Sequence, residues 1–213
     1  MAVTVAVLDY GIGNLRSAQK SLERVGATAI LTSDPKVIES ADGAVLPGVG
    51  NFGACMDAMD ATGLSDQARA FVATGRPFLG ICVGMQLLFD GSEESPGRAG
   101  LGLLPGVCAL LPDGVKRPQM QWNRLDASGR AEGAEHPLLA GLDQSWMYFV
   151  HSYAIMGGDH VIATTDYGGP VAAAVAAGNI WATQFHPEKS AEAGRRLLEN
   201  WVGVVDAYVG VRA

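Results

Sequence analysis

An α/β fold with an open, mostly parallel central sheet flanked by helices, and with antiparallel strand additions in the C-terminal half, is what this sequence predicts. Two observations carry that reading. In the first half, apolar β-branched runs alternate with amphipathic stretches, the pattern of a parallel sheet covered on both faces. In the second half, strand-like runs follow one another across short Gly- or Asp-containing turns. A third observation concerns organisation. The 213 residues are 48 % hydrophobic, enough for one sizeable core, and no Ser/Gly/Pro-rich linker or charge run divides them, so residues 1–213 are expected to form one domain.

Residues 3–9 are almost unbrokenly apolar and read as a buried first strand. A helix follows, with Leu15, Ala18, Leu22 and Val25 on one face and Gly26 just past its end. Residues 28–33 form the second strand. Asp34 and Pro35 then open a short helix, the first as a cap and the second in the first turn. Residues 43–50 read as a third strand breaking into a glycine-rich turn at Pro47. Helical stretches around 55–61 and 65–74 lead to a fourth strand at 77–81. Residues 146–154, 160–165, 170–178 and 179–186 read as strands joining the sheet antiparallel, and a last helix runs from Ser190 to about Tyr208. There is no internal repeat and no low-complexity tract.

The formal net charge is −7 and no basic patch is present, which argues against nucleic acid or a membrane surface as the main partner. The N-terminal stretch has neither a basic n-region nor a long apolar h-region, and the most apolar tract, residues 171–178, is far shorter than the roughly 20 residues a membrane span needs. Cys55, Cys82 and Cys108 are odd in number and form no CxxC pair, which fits a reduced cytoplasm. No zinc-type ligand spacing or P-loop occurs, and the glycines after the first strand lack the third glycine of a dinucleotide fingerprint. No metal and no cofactor is expected.

Gly80-Ile81-Cys82-Val83-Gly84 has the spacing of a nucleophile elbow. A strand that turns sharply into a helix needs small residues on both sides of the nucleophile. The sulfur then sits at a helix N-terminus, whose dipole favours negative charge, and the amide of Val83 is a ready oxyanion donor. Placed there, the site is expected at the sheet edge rather than in the core. Taken alone, the motif reads equally as a buried cysteine between packing glycines; its position after a strand favours the nucleophile. A thiolate needs a base, and His186 and Glu188, two residues apart, can face one side if residues 181–185 continue as a strand. An isolated HxE is otherwise a loop histidine beside a proline. Glycines 48, 50 and 53 leave amides free for a second oxyanion donor, or make a plain flexible loop. His136 and His160 look like surface residues, His151 like a half-buried one, and Cys55 and Cys108 like core packing.

"GICVGMQ", followed about a hundred residues later by "QFHPEKS", resembles the class I, triad-type glutamine amidotransferases. Within that family, "LDYGIGNLRS", "VLPGVGNFG", "MQWN" and "YFVHSY" are similar to the glutaminase subunits of imidazole glycerol phosphate synthases. The resemblance covers nearly the whole chain. It implies that Cys82 attacks the side-chain amide of L-glutamine, that His186 shuttles protons, and that Glu188 orients His186. It places the oxyanion hole at Val49, Gly50 and Val83, where the Val49 loop must reorient before it donates. Gln86, Ser152 and Tyr153 would hold the substrate. Asn14, Trp122, Asn123, Tyr148 and Lys189 would face a (β/α)8-barrel cyclase partner that receives the ammonia. Gln121 stands where the family usually has glycine and Gln119 where histidine is common, both bearing on partner contacts. A glutaminase for anthranilate or GMP synthesis, a solitary thiol hydrolase and a non-catalytic binding module are the alternatives; each accounts for fewer of these stretches.

Overall fold

The computed structural model describes residues 2–127 and 136–212. The first half alternates as β1 (Thr4–Leu8), α1 (Leu15–Arg24), β2 (Thr28–Thr32), α2 (Pro35–Ser40), β3 (Gly43–Gly48), α3 (Phe52–Ala61), α4 (Leu64–Ala73), β4 (Phe78–Cys82) and the single turn α5 (Val83–Gln86). The second half holds β5 (Gly91–Ser92), β6 (Val107–Leu110), β7 (Gln119–Arg124), β8 (Trp146–His151), β9 (Tyr153–Ala154), β10 (Val161–Asp166), β11 (Pro170–Ala177), β12 (Ile180–Thr183) and α6 (Ala191–Arg212). Local chemistry sets the boundaries. Asp34 caps α2 by accepting from the Lys36 amide, and Asn51 caps α3 by accepting from Ala54.

Seven strands form the main sheet in the order β10-β11-β12-β4-β3-β1-β2. Pairing is parallel from β12 through β4, β3 and β1 to β2, and antiparallel on both sides of β11. The chain steps outward from β1 to β2 and then back across β1 to β3 and β4. Right-handed crossovers therefore put α1 on one face and α2, α3 and α4 on the other. α6 packs beside α1, and its buried stripe of Leu197, Leu198, Trp201 and Val205 lies over the start of β3. A Cβ at Gly43 would come within 3.0 Å of Val205 and 3.1 Å of Trp201, so a side chain there would press on α6.

Two expectations are corrected here. The run 146–154 does not join the main sheet: β8 pairs with β7 in a separate two-stranded ribbon, and β9 pairs with β6. Only one face of the ribbon is buried, through Met147 and Phe149, while Met120, Trp122 and Trp146 stay exposed. An apolar run can thus be half a surface. Likewise β12 is antiparallel to β11 but parallel to β4, and all four of its residues are buried, as a strand inside a covered sheet requires.

Candidate active site

β4 is the middle strand of the seven, so Cys82 lies at the carboxyl end of the sheet's centre and not at its edge; it is 3 % exposed. Its backbone has φ 55° and ψ −113°, a conformation that costs a non-glycine residue about 1–3 kcal/mol. The neighbouring glycines explain how the turn closes. A Cβ at Gly84 would sit 1.8 Å from the Leu46 carbonyl oxygen, and one at Gly48 would sit 2.7 Å from the Gly84 amide nitrogen. The helix after the elbow is shorter than expected, four residues, so the first amides of α5 and not a long dipole act on the sulfur.

β12 runs beside β4 with Thr183 opposite Ile81, and the chain leaving β12 carries His186 and Glu188 to the same end. His186 Nδ1 and Glu188 Oε1 are 2.8 Å apart, with both side chains almost wholly buried. The carboxylate accepts, so Nδ1 carries the proton and Nε2 is left as the basic nitrogen. Nε2 is buried and closes no hydrogen bond. Burial alone would lower the pKa of His186; the neighbouring Cys82 and Glu188 outweigh it and raise it to about 9. The turn is tied to the ribbon, since the His186 amide donates to the Tyr148 carbonyl and the Tyr148 amide donates to Ser190 Oγ.

Between these groups lies a cavity of about 150 Å³, below the roughly 300–1,000 Å³ of sites for drug-sized ligands and suited to a single amino acid. Cys82, His186, Val49, Gly50, Val83, Gln86, Ser152 and Tyr153 all line it. The pattern of the family Glutamine amidotransferase class-I matches residues 6–204. This chain belongs to the class I glutamine amidotransferases. It is 47 % identical over 204 residues to the imidazole glycerol phosphate synthase subunit HisH of Methanothermobacter thermautotrophicus, covering 95 % of this chain and 100 % of that one. It is 44 % identical to the HisH subunit of Symbiobacterium thermophilum, covering 98 % and 97 %. A solved glutamine amidotransferase superposes with a TM-score of 0.72 at 22 % identity, covering 93 % of this chain and 98 % of that chain. PurLQS from Thermotoga maritima superposes at 0.73 and 18 %, covering 96 % and 99 %. These last two likenesses concern the fold.

In this amidotransferase, three residues at or beside the cavity are given no role by the sequence reading. Glu94 supplies a carboxylate to the wall, with Oε2 accepting from the Phe52 amide at 2.7 Å, and can meet a ligand's ammonium group. Gln184, fully buried, bridges the site: its Nε2 lies 3.8 Å from Cys82 Sγ and its Oε1 accepts from Gln86 Nε2 at 3.1 Å. Gln86 also donates to the Tyr153 carbonyl at 2.8 Å. His151, 6 % exposed, lies 3.1 Å through Nδ1 from the same carbonyl, and its buried Nε2 has no partner.

Burial lowers His151 to about 4, so it stays neutral in the folded chain while the unfolded chain protonates near 6.5. Its contribution is present in full above pH 6.5 and is lost as pH falls toward 4, on the order of 3 kcal/mol. We expect His151→Gln to flatten this acid loss, measured as unfolding free energy in urea between pH 7 and pH 4. An unchanged pH slope would contradict the assignment.

Trp122 and Tyr148 meet edge-on at 6.1 Å across the ribbon, and Lys189 lies 5.8 Å over the Tyr148 ring, making one cluster beside exposed Met120 and Trp146. Strand alternation turns Asn123 to the other side, where Nδ2 donates to the Asp166 carbonyl at 2.9 Å. Asn14 is exposed at the start of α1, its Oδ1 accepting from Ser17. Gln119 is fully buried opposite His151, so it cannot touch a partner, whereas Gln121 is exposed in mid-strand. His136 and His160 are half-buried and not simply surface residues; His136 packs against Trp181 and His160 against Phe89.

Proposed function

We propose that this chain is the glutaminase subunit of an imidazole glycerol phosphate synthase, folded as one domain and acting in the cytoplasm. The observation that carries the reading is a thiol and an imidazole lining one amino-acid-sized cavity, with a carboxylate hydrogen-bonded to the imidazole from behind, in a chain that matches HisH subunits over nearly its full length.

The Cys82 thiol passes its proton to His186 Nε2 as its sulfur attacks the carboxamide carbon of L-glutamine, forming a C–S bond while the carbonyl π electrons move onto oxygen. The charge on oxygen faces the amides of Val83 and of the Val49–Gly50 stretch. As the C–N bond breaks, His186 gives its proton to the departing nitrogen and ammonia leaves. Water, deprotonated by His186, then cleaves the γ-glutamyl thioester, releasing glutamate and restoring the thiol. Glu188 keeps Nδ1 protonated and the ring aimed throughout. Gln86, Ser152 and Tyr153 hold the amino and carboxylate ends. No metal or cofactor takes part.

Ammonia passes to a (β/α)8-barrel cyclase subunit. The exposed cluster of Trp122, Tyr148 and Lys189, with Met120 and Trp146, is the kind of apolar face a protein partner covers. Asn14, exposed at the start of α1, would meet the same partner, and Asn123 would serve it by tying β7 to β10. The barrel converts its ribulosyl-formimino nucleotide to imidazole glycerol phosphate and the aminoimidazole carboxamide nucleotide.

The test is glutamate release by the purified chain, alone and with the cyclase subunit loaded with its nucleotide. We expect near-zero release alone and a large rise with the loaded partner. Release indifferent to that partner would assign the chain to another synthase or to solitary hydrolysis.

A further inference from the structure

Cys82 and Gln184 come side by side because β4 and β12 run parallel: Ile81 is paired with Thr183, and Cys82 and Gln184 are the next residues of the two chains. The Gln184 backbone is held from the other side, where its amide donates to the Ala173 carbonyl at 2.8 Å. Its side chain is fully buried. A carboxamide tolerates that only when both of its ends are met, and here both are. Gln184 does not line the cavity, whereas Gln86 does.

The hydrogen bonds fix which end meets which partner. A backbone carbonyl only accepts, so the Tyr153 carbonyl takes a hydrogen from Gln86 Nε2 at 2.8 Å. The second hydrogen on that nitrogen goes to Gln184 Oε1 at 3.1 Å. This leaves Gln184 Nε2 as the end turned to the Cys82 sulfur, at 3.8 Å. An amide N–H offers a hydrogen and cannot take one, so it favours the thiolate. The Val150 carbonyl, 3.9 Å from the same sulfur, acts oppositely, since it only accepts and favours the protonated thiol.

We propose that Gln184 steers the charge of the nucleophile: its side-chain amide donates to the Cys82 sulfur and stabilises the thiolate formed when the proton passes to His186, with Gln86 holding that amide in the donating direction. The proposal rests on the glutaminase reading above and deepens it, because the residue that holds the substrate also aims the donor at the sulfur.

Iodoacetamide reports thiolate directly and needs no oxyanion hole, so the full chain is tested by itself. The alkylation rate of Cys82, followed by mass spectrometry of its peptide, is measured from about pH 5 to pH 10 in wild type, Gln184→Met and Gln86→Met. Methionine fills a similar volume without an N–H donor. A hydrogen bond to a charged atom is worth about tenfold in a protonation equilibrium. Gln184→Met is therefore expected to react about tenfold slower at neutral pH, the gap closing to within about threefold at the alkaline end. Gln86→Met, which keeps the donor but not its aim, is expected to lose about two- to threefold at neutral pH. The titratable groups around the sulfur are His186, Glu94 and His151 in the cavity wall, with Tyr10 and Cys55 behind it. All are the same in the three proteins, so a changed profile belongs to the amides.

An unchanged neutral rate in Gln184→Met would overturn the proposal, as would a loss of equal size at every pH, which marks lost access. A second measurement needs no glutamine variant. In wild type the NMR resonances of the Gln184 side-chain amide should shift over the pH range in which alkylation rises, and that shift should vanish in Cys82→Ala. Resonances that stay still in wild type, or move alike in both proteins, sink the proposal even where Gln184→Met does not fold. A wild type that shows both signatures, but releases no glutamate with the loaded cyclase, sinks only the functional reading.

Discussion

Replacing Cys82 by alanine is expected to abolish glutamine hydrolysis, a loss on the order of 10⁴-fold or more, while the chain still folds. The covalent route disappears with the sulfur, and neither a well-aimed imidazole nor an oxyanion hole substitutes for a nucleophile. The stability effect should be small although the residue ends the central strand. Alanine removes a single buried atom and carries the same positive-φ strain as cysteine, so the melting temperature should stay within about 4 °C of wild type. Cys82→Gly, free of that strain, should lose activity equally and melt no lower than alanine. Glutamate release and thermal unfolding on the same preparations decide the matter. Unfolding of both variants would make Cys82 a structural residue.

His186→Ala should lower kcat on the order of 10⁴-fold, and Glu188→Gln should cost at least tenfold less. The imidazole moves two protons in the cycle, whereas the carboxylate, 2.8 Å from Nδ1, sets tautomer and aim. A thiol depends less on its base than a hydroxyl does, which softens the Glu188 loss further. The pH profile separates the roles. Burial pulls His186 down while Cys82 and Glu188 hold it at about 9. Removing the carboxylate takes away one upward influence, so the limb of the rate profile that reports the imidazolium should move to lower pH in Glu188→Gln. Equal losses in the two variants, or an unmoved limb, would remove the orienting role.

How much of this was legible in the sequence depends on whether a feature is local. The buried strands β1, β3 and β4 announce themselves because a strand covered on both faces is a continuous apolar run bounded by turn residues. Pairing is not local: nothing in Ile180–Thr183 says that one neighbour is antiparallel and the other parallel. β7 carries no clear period because one side of the ribbon is exposed although it bears Met120 and Trp122. Cys82, His186 and Glu188 stand out because two separate stretches occur in a family's order, whereas the spacing of either alone leaves a structural cysteine or a loop histidine open. Glu94 and Gln184 are assigned no role there, for their meaning comes from what the fold sets beside them. Gln119 shows the same limit, being fully buried where a partner contact was expected.

The two adjacent strands that carry the thiol and the imidazole are separated along the chain by about half its length, with Phe78 paired to Ile180. Synthesis therefore delivers the nucleophile long before its base. A nascent chain can close β1 to β4 around the elbow, yet it holds an unassisted thiol until β12 emerges and inserts between β4 and β11. The pair of groups is therefore complete only when residues from both halves of the chain lie side by side in the sheet.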